Sequence, residues 1–103
     1  MKKYYKLVRD NIPDIIADTG AYCETVMLSE TDYLHALDDK LNEELQEFLA
    51  SDNVEELADL LEVIYAAAAA RGVTAECLDA IRELKAAERG RFEKRVFLKY
   101  VED

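Results

Sequence analysis

Two pairs of acidic side chains in the middle of the chain have a spacing that suits metal chemistry. Glu44 and Glu47 form one pair, and Glu56 and Asp59 form the other. Residues three apart lie on the same side of an α-helix. Two carboxylates about 4 Å apart repel each other by about 4 kcal/mol at an effective dielectric constant of 20, so a close cluster needs protons or cations. We therefore expect a cation site if two helices bring these pairs together.

The ligand types available to such a site indicate which cation it prefers. No cysteine or histidine accompanies the four carboxylates, and oxygen ligands alone favour Mg²⁺, with Mn²⁺ as an acceptable replacement, over zinc. A di-iron centre requires Glu-x-x-His pairs. His35 is the only histidine and follows Asp32 at that spacing, so we exclude this centre and place His35 at the surface. The alternative to a metal site is an ordinary solvated acidic face.

The segments around the carboxylates predict a helical hairpin. Ser29 suits an N-cap, and leucines recur at helical spacing from there, which indicates a helix over about 30–50. The turn-forming residues 51–53 interrupt this pattern before it resumes in a third helix. With the hairpin centred between Ser51 and Asp52, Glu47 and Glu56 lie equally far from its centre, and so do Glu44 and Asp59. We therefore expect the four carboxylates at matching heights on one flank.

Two further helices are expected on either side of the hairpin. Asp10 or Asn11 caps a short first helix with Pro13 in its opening turn, and this helix stops near Gly20. Thr74 caps a fourth helix, which ends at Gly90. The small side chains of residues 66–70 predict a seam where helices approach closely.

Two segments outside the helices have strand-like composition. Residues 22–28 and 94–101 are rich in aromatic and β-branched side chains and show no helical stripe. They predict a small two-stranded β ribbon beside the helices or across a subunit boundary. The expected fold is thus mainly α, a four-helix bundle with this ribbon, in a single domain covering residues 1–103.

The net charge of −10 limits the classes of partner. A protein this acidic repels polyanions, so we expect neither nucleic acid nor an acidic membrane surface as a partner. The sequence has no apolar run of the ~20 residues that a spanning helix needs. With no secretory signal and only two cysteines, it predicts a cytoplasmic protein. A chain of this size is marginally stable alone, so we expect a homo-oligomer, either a dimer or a tetramer.

The basic residues gather at the two ends of the chain. Lys85 and Arg89 stand four apart on the fourth helix, where they form one basic edge that suits phosphate oxygens. Arg9 near the start is a similar candidate for substrate binding. The alternative for the helical pair is a surface role or salt bridges with Glu83 and Glu88.

Three motifs in this order resemble one family over nearly the whole chain. They are Lys6-Leu7-Val8-Arg9-Asp10-Asn11-Ile12-Pro13, then Glu43-Glu44-x-x-Glu47 with Glu56-x-x-Asp59, and finally Lys85-x-x-x-Arg89-Gly90-x-Phe92. The chain thereby resembles the MazG-like all-α nucleotide pyrophosphohydrolases, particularly the small members described as phosphoribosyl-ATP pyrophosphohydrolase-like. This resemblance implies an enzyme that uses Mg²⁺ to hydrolyse a nucleoside triphosphate or related nucleotide to a monophosphate and pyrophosphate.

The same resemblance implies roles for individual residues. The metal ligands would be Glu44, Glu47, Glu56 and Asp59. A carboxylate beside the metal-bound water would act as general base, and either Glu43 or Glu47 suits this catalytic role. Two alternatives stay open: cleavage of phosphoribosyl-ATP, and a non-catalytic helical module that oligomerises or binds nucleotide without turnover.

Overall fold

The computed structural model describes all residues, 1–103, and consists of four α-helices without a β-strand. The helices are α1 (Ile12–Asp18), α2 (Glu30–Ser51), α3 (Val54–Ala69) and α4 (Ala75–Arg89). The expectation of a mainly α fold is confirmed. None of the helices combines the length and the apolar character needed to cross a membrane.

Side-chain caps begin three of the helices, two of them at the expected residues Ser29 and Thr74. The Ser29 hydroxyl accepts a hydrogen bond from the Asp32 amide at 3.2 Å, and the Thr74 hydroxyl accepts one from Cys77 at 3.1 Å. Asn53 begins α3 by accepting a bond from the Glu55 amide. The expected side-chain cap on α1 is wrong, because Asn11 makes no capping bond and its backbone oxygen starts the helix instead.

Helices α2 and α3 pack together as a hairpin that contains the small core. Leu37 on α2 is 1% exposed, and Val63 on α3 is also buried. The only other buried residue is Glu44, which is charged. A buried carboxyl is costly unless it is paired or neutralised, so the surroundings of Glu44 decide how the fold tolerates it.

The fourth helix contacts only the far end of this hairpin. A shallow groove there is lined by Leu41 of α2, Ala67 and Ala68 of α3, and Leu78 of α4. The alanines therefore lie where three helices come together. Farther along α4, Leu84 is 62% exposed, so the second half of this helix has little of the chain packed against it.

The predicted β ribbon is wrong. Residues 22–28 and 94–101 form no strand, and no backbone hydrogen bond joins the two segments. The only backbone bond among residues 91–103 runs from the Arg95 amide to the Phe92 oxygen at 3.3 Å. A strand is stable only when a partner satisfies its backbone groups. Within one chain neither segment pairs with the other, so their strand-like composition does not lead to strands.

Candidate functional site: a carboxylate cluster on the helical hairpin

Glu44 is the central residue of the candidate site. It lies on α2 toward α3 and is 7% exposed. Its Oε1 atom lies 3.4 Å from the Lys40 ammonium, whereas its Oε2 atom is buried and has no hydrogen-bond partner. Burial, followed by repulsion from Glu47, raises the pKa of the Glu44 carboxyl above its ordinary value. The hairpin therefore contains an acceptor atom with nothing to satisfy it.

Glu44 belongs to two groups of carboxylates. Along α2 it lies with Glu43 and Glu47, and across the hairpin it lies with Glu56 and Asp59. Within each group, one oxygen atom from every residue lies within 4.8 Å of the others. We call these five residues the carboxylate cluster. Glu44 joins its two halves, and Glu47 lies in the α2 group only.

Two lysines that the site predictions omitted neutralise part of the cluster. The Lys40 ammonium lies 3.2 Å from Glu43, and the Lys6 ammonium lies 2.8 Å from the same carboxylate. Partial burial acts to raise the pKa of the Glu43 carboxyl, but hydrogen bonds from Lys6 and Lys40 outweigh it, so this pKa falls below its ordinary value. The hydrogen bond to Glu43 likewise raises the pKa of Lys6.

Sequence spacing was sufficient to find one of these lysines. Lys40 precedes Glu43 by three residues and Glu44 by four, which is the spacing of ion pairs along a helix. Lys6 had no comparable signal. It approaches from the segment before α1, and only the tertiary structure shows that this segment crosses the hairpin.

Arg9 lies beside the cluster. Its guanidinium donates a hydrogen bond of 2.7 Å to Asp59 and also lies 3.8 Å from Glu62. Both partners of the closer pair are more than one-third exposed, and such surface pairs contribute little stability. The main consequence of this contact is that it places a guanidinium next to the carboxylates.

The other two predicted phosphate-binding residues do not join this group. Lys85 and Arg89 are exposed on α4, and no hydrogen bond or ion pair connects them to the carboxylate cluster. Neither residue forms the alternative salt bridge with Glu83 or Glu88, so both have the surface position that was the other alternative. Glu83 pairs instead with Arg82 at 2.7 Å and with Arg91 at 3.0 Å.

The composition of the cluster fits a hard divalent cation. All of its donor atoms are carboxylate oxygens, which Mg²⁺ and Mn²⁺ prefer. The unpartnered Glu44 oxygen costs free energy because it has lost water without gaining a donor. A cation bound there would remove both that cost and the repulsion among neighbouring carboxylates.

No protein-family model, curated protein or solved structure matches this chain. The resemblance to MazG-like enzymes therefore stays a prediction from the three motifs, and the geometry of the cluster stands independently of it.

Proposed function

We propose that the protein is a Mg²⁺-dependent nucleotide pyrophosphohydrolase that cleaves a nucleoside triphosphate or related nucleotide to a monophosphate and pyrophosphate. The observation that supports this most strongly is the buried, unpartnered oxygen of Glu44, the residue that both groups of the cluster share. In an ordinary acidic face all the carboxylates are exposed to solvent, and none needs to be buried. The resemblance in three ordered motifs supplies the substrate class.

In this proposal Glu44, Glu56 and Asp59 would hold the cation, and Glu47 beside Glu44 on α2 would lie at its edge, where it is free to accept a proton. When bound, Mg²⁺ or Mn²⁺ supplies charge neutralisation at phosphate oxygens and makes a coordinated water more acidic. The two helices contribute ligands from opposite sides, so the hairpin turn determines the distance between them. Lys40 compensates charge at the inner edge of the cluster, where its ammonium contacts Glu43 and Glu44.

The two candidates for general base differ in their surroundings. Glu43 accepts hydrogen bonds from Lys6 and Lys40, and its lowered pKa makes it a poor proton acceptor. Glu47 is exposed and has no ion pair within the chain. We therefore assign proton transfer from the attacking water to Glu47, and a positioning role to Glu43.

Phosphate binding falls mainly to Arg9. Its guanidinium already lies at the cluster, and a guanidinium can donate two parallel hydrogen bonds to a phosphate group. Lys85 and Arg89 stay candidates for the far end of the substrate, although nothing within one chain brings them to the carboxylates. A cytoplasmic location agrees with this activity and with the two free cysteines.

The test is a panel of canonical, damaged and deoxy nucleotides together with phosphoribosyl-ATP, with pyrophosphate release as the readout. We expect turnover of at least one member with Mg²⁺, and its loss with a chelator. Glu47→Gln should lower kcat by about 10²-fold to 10⁴-fold, the usual contribution of a general base. Glu55→Gln is the matched control, because Glu55 is exposed on the same hairpin and lies outside the cluster.

Calorimetry on the same samples distinguishes the enzyme from the binding module. Binding of Mg²⁺ or nucleotide without pyrophosphate release from any panel member would reject the enzymatic proposal in favour of the non-catalytic module. Turnover confined to phosphoribosyl-ATP would keep the reaction and assign it to the biosynthetic alternative.

A further inference from the structure

The isolated chain exposes far more surface than a folded monomer of its mass. Only three of its 103 residues are buried, and its accessible surface is 9402 Å². A folded monomer of 11.8 kDa exposes about 5,900 Å². The radius of gyration is 18.1 Å, compared with about 13 Å for a compact domain of this length. About one-third of the exposed surface thus lacks the cover that a stable fold requires.

Much of this surface belongs to the segment after Gly90, residues 91–103, which we call the C-terminal arm. Every residue of the arm is exposed. Its large apolar side chains include Phe92 at 99% and Phe97 at 88% exposure. The arm is held to the rest of the chain by a salt bridge at its first residue, from Arg91 to Glu83. Its apolar side chains have no partner within their own chain.

The helical hairpin has an apolar surface that also lacks cover. Large side chains at helical spacing on α2 and α3 are 37–64% exposed; they are Leu45, Leu49, Leu57, Leu61 and Ile64. On each helix they are displaced from the packed side in the same rotational sense, which puts them on one side of an antiparallel pair. We call these five residues the apolar flank. Glu47 and Asp59 are displaced in the opposite sense, so the flank leaves the carboxylate cluster open.

Charge also matches the arm to this hairpin. Residues 30–62 contain 12 acidic side chains and Lys40 as the only basic one. The arm contains four basic and three acidic side chains, and all four basic ones but only one acidic one lie within residues 91–99. Opposite charges around an apolar contact favour one orientation and disfavour others.

We infer that the C-terminal arm of one copy packs along the apolar flank of a second copy, and that the second copy returns the same contact. The excess surface is about 3,500 Å² per chain. Permanent homodimer interfaces bury about 2,000–5,000 Å² in total, so two copies have enough uncovered surface to form one. This inference goes beyond the proposed function and does not depend on metal binding or turnover.

The first test measures mass in solution by sedimentation across a range of chain concentrations. We expect at least twice the mass of one chain, and at least a tenfold weaker association for Phe97→Ser. Tyr22→Ser is the matched control, because Tyr22 is 90% exposed but lies outside both surfaces. A single-chain mass at every concentration, or association unchanged by Phe97→Ser, would overturn the inference.

The second test locates the contact by disulfide formation in a Cys23→Ser, Cys77→Ser background. An isotopically labelled Leu98→Cys chain is mixed with an unlabelled Leu57→Cys chain, and the expected product is the mixed-mass disulfide. A parallel mixture replaces the second chain by Val26→Cys. Cross-linking to position 26 and not to position 57 would show that the arm pairs with residues 22–28 instead, which contradicts the inference.

Discussion

At the residue scale, Glu44 has a position where a stable fold favours an apolar side chain but a cation site would need a carboxylate. Its position in the hairpin interior is one that an apolar residue would fill more favourably, because one carboxyl oxygen has neither water nor a donor. Lys40 offsets part of this cost through the other oxygen. Under the proposed function, the remainder is stability given up for the cation that the cluster would bind, a relation found at many functional sites.

The pH dependence of stability provides a test at this residue. Between the ordinary carboxyl value of 4.5 and the raised pKa of Glu44, the folded state binds more protons than the unfolded state, so stability falls as pH rises. Glu44→Gln replaces the carboxyl by an amide that does not titrate, so it removes this part of the pH dependence of stability. In EDTA, we expect the variant to be more stable than the wild type above the raised pKa, with the difference vanishing as pH falls toward 4.5.

Glu43→Gln supplies a comparison of opposite sign. The folded-state pKa of Glu43 is lowered, so its charge stabilises the fold above the ordinary value, and this stability is lost as pH falls through the lowered pKa. This variant should therefore be less stable than the wild type at neutral pH. The measurement is urea unfolding as a function of pH at one fixed chain concentration. Equal pH profiles for the two variants would contradict the distinction between these neighbouring carboxyls.

At the scale of elements, the turn between α2 and α3 determines which carboxylates face each other. Asp52 ends α2 in the left-handed region, with φ of 54°, and Asn53 then caps α3 through a 2.9 Å bond to the Glu55 amide. Only these two residues separate α2 from α3, so the chain reverses in a short turn. Because the turn is short, the spacing of the carboxylates on either side of it predicted that Glu44 lies near Asp59, whereas the match of Glu47 with Glu56 that it also predicted does not form.

Substitutions in this turn should have opposite effects. Asn53→Ala removes the cap and is expected to lower the free energy of unfolding by about 1 kcal/mol. Asp52→Gly relieves a left-handed conformation that disfavours side chains, so it should leave stability unchanged or raise it. Urea unfolding at fixed chain concentration measures both. A loss of stability in Asp52→Gly similar to that of Asn53→Ala would contradict the turn geometry.

The elements also show what sequence patterns can and cannot predict. The four helices follow from local signals, since Ser29, Thr74 and Gly90 act within a few residues of the boundaries they set. The pairing of Glu44 with Asp59 follows from counting across one turn. The predicted ribbon and the contact between Lys6 and Glu43 depend on distant partners, which composition and spacing do not specify. For that reason the ribbon was wrong and the contact was missed.

At the scale of the whole molecule, the charge of −10 is concentrated rather than uniform. The hairpin holds about half of the acidic residues. Two basic residues from the first nine positions, Lys6 and Arg9, form ion pairs with it. This distribution explains how the proposed function is compatible with a net negative charge, although the proposed substrate is itself an anion. An acidic protein can bind an anionic nucleotide if a divalent cation and a few fixed cationic side chains stand between them.

The last prediction separates specific cation binding from general screening of this charge. Any salt reduces repulsion among exposed acidic residues, so NaCl should stabilise the fold to a modest extent. Mg²⁺ held by the cluster binds the folded state preferentially and should raise the thermal midpoint further at the same ionic strength. Glu56→Gln removes a ligand from the α3 side and should abolish only this additional shift, whereas Glu55→Gln should retain it. Equal stabilisation of the wild type by MgCl₂ and NaCl would mean that the cluster is a solvated acidic face and would remove the structural basis of the proposed metal site.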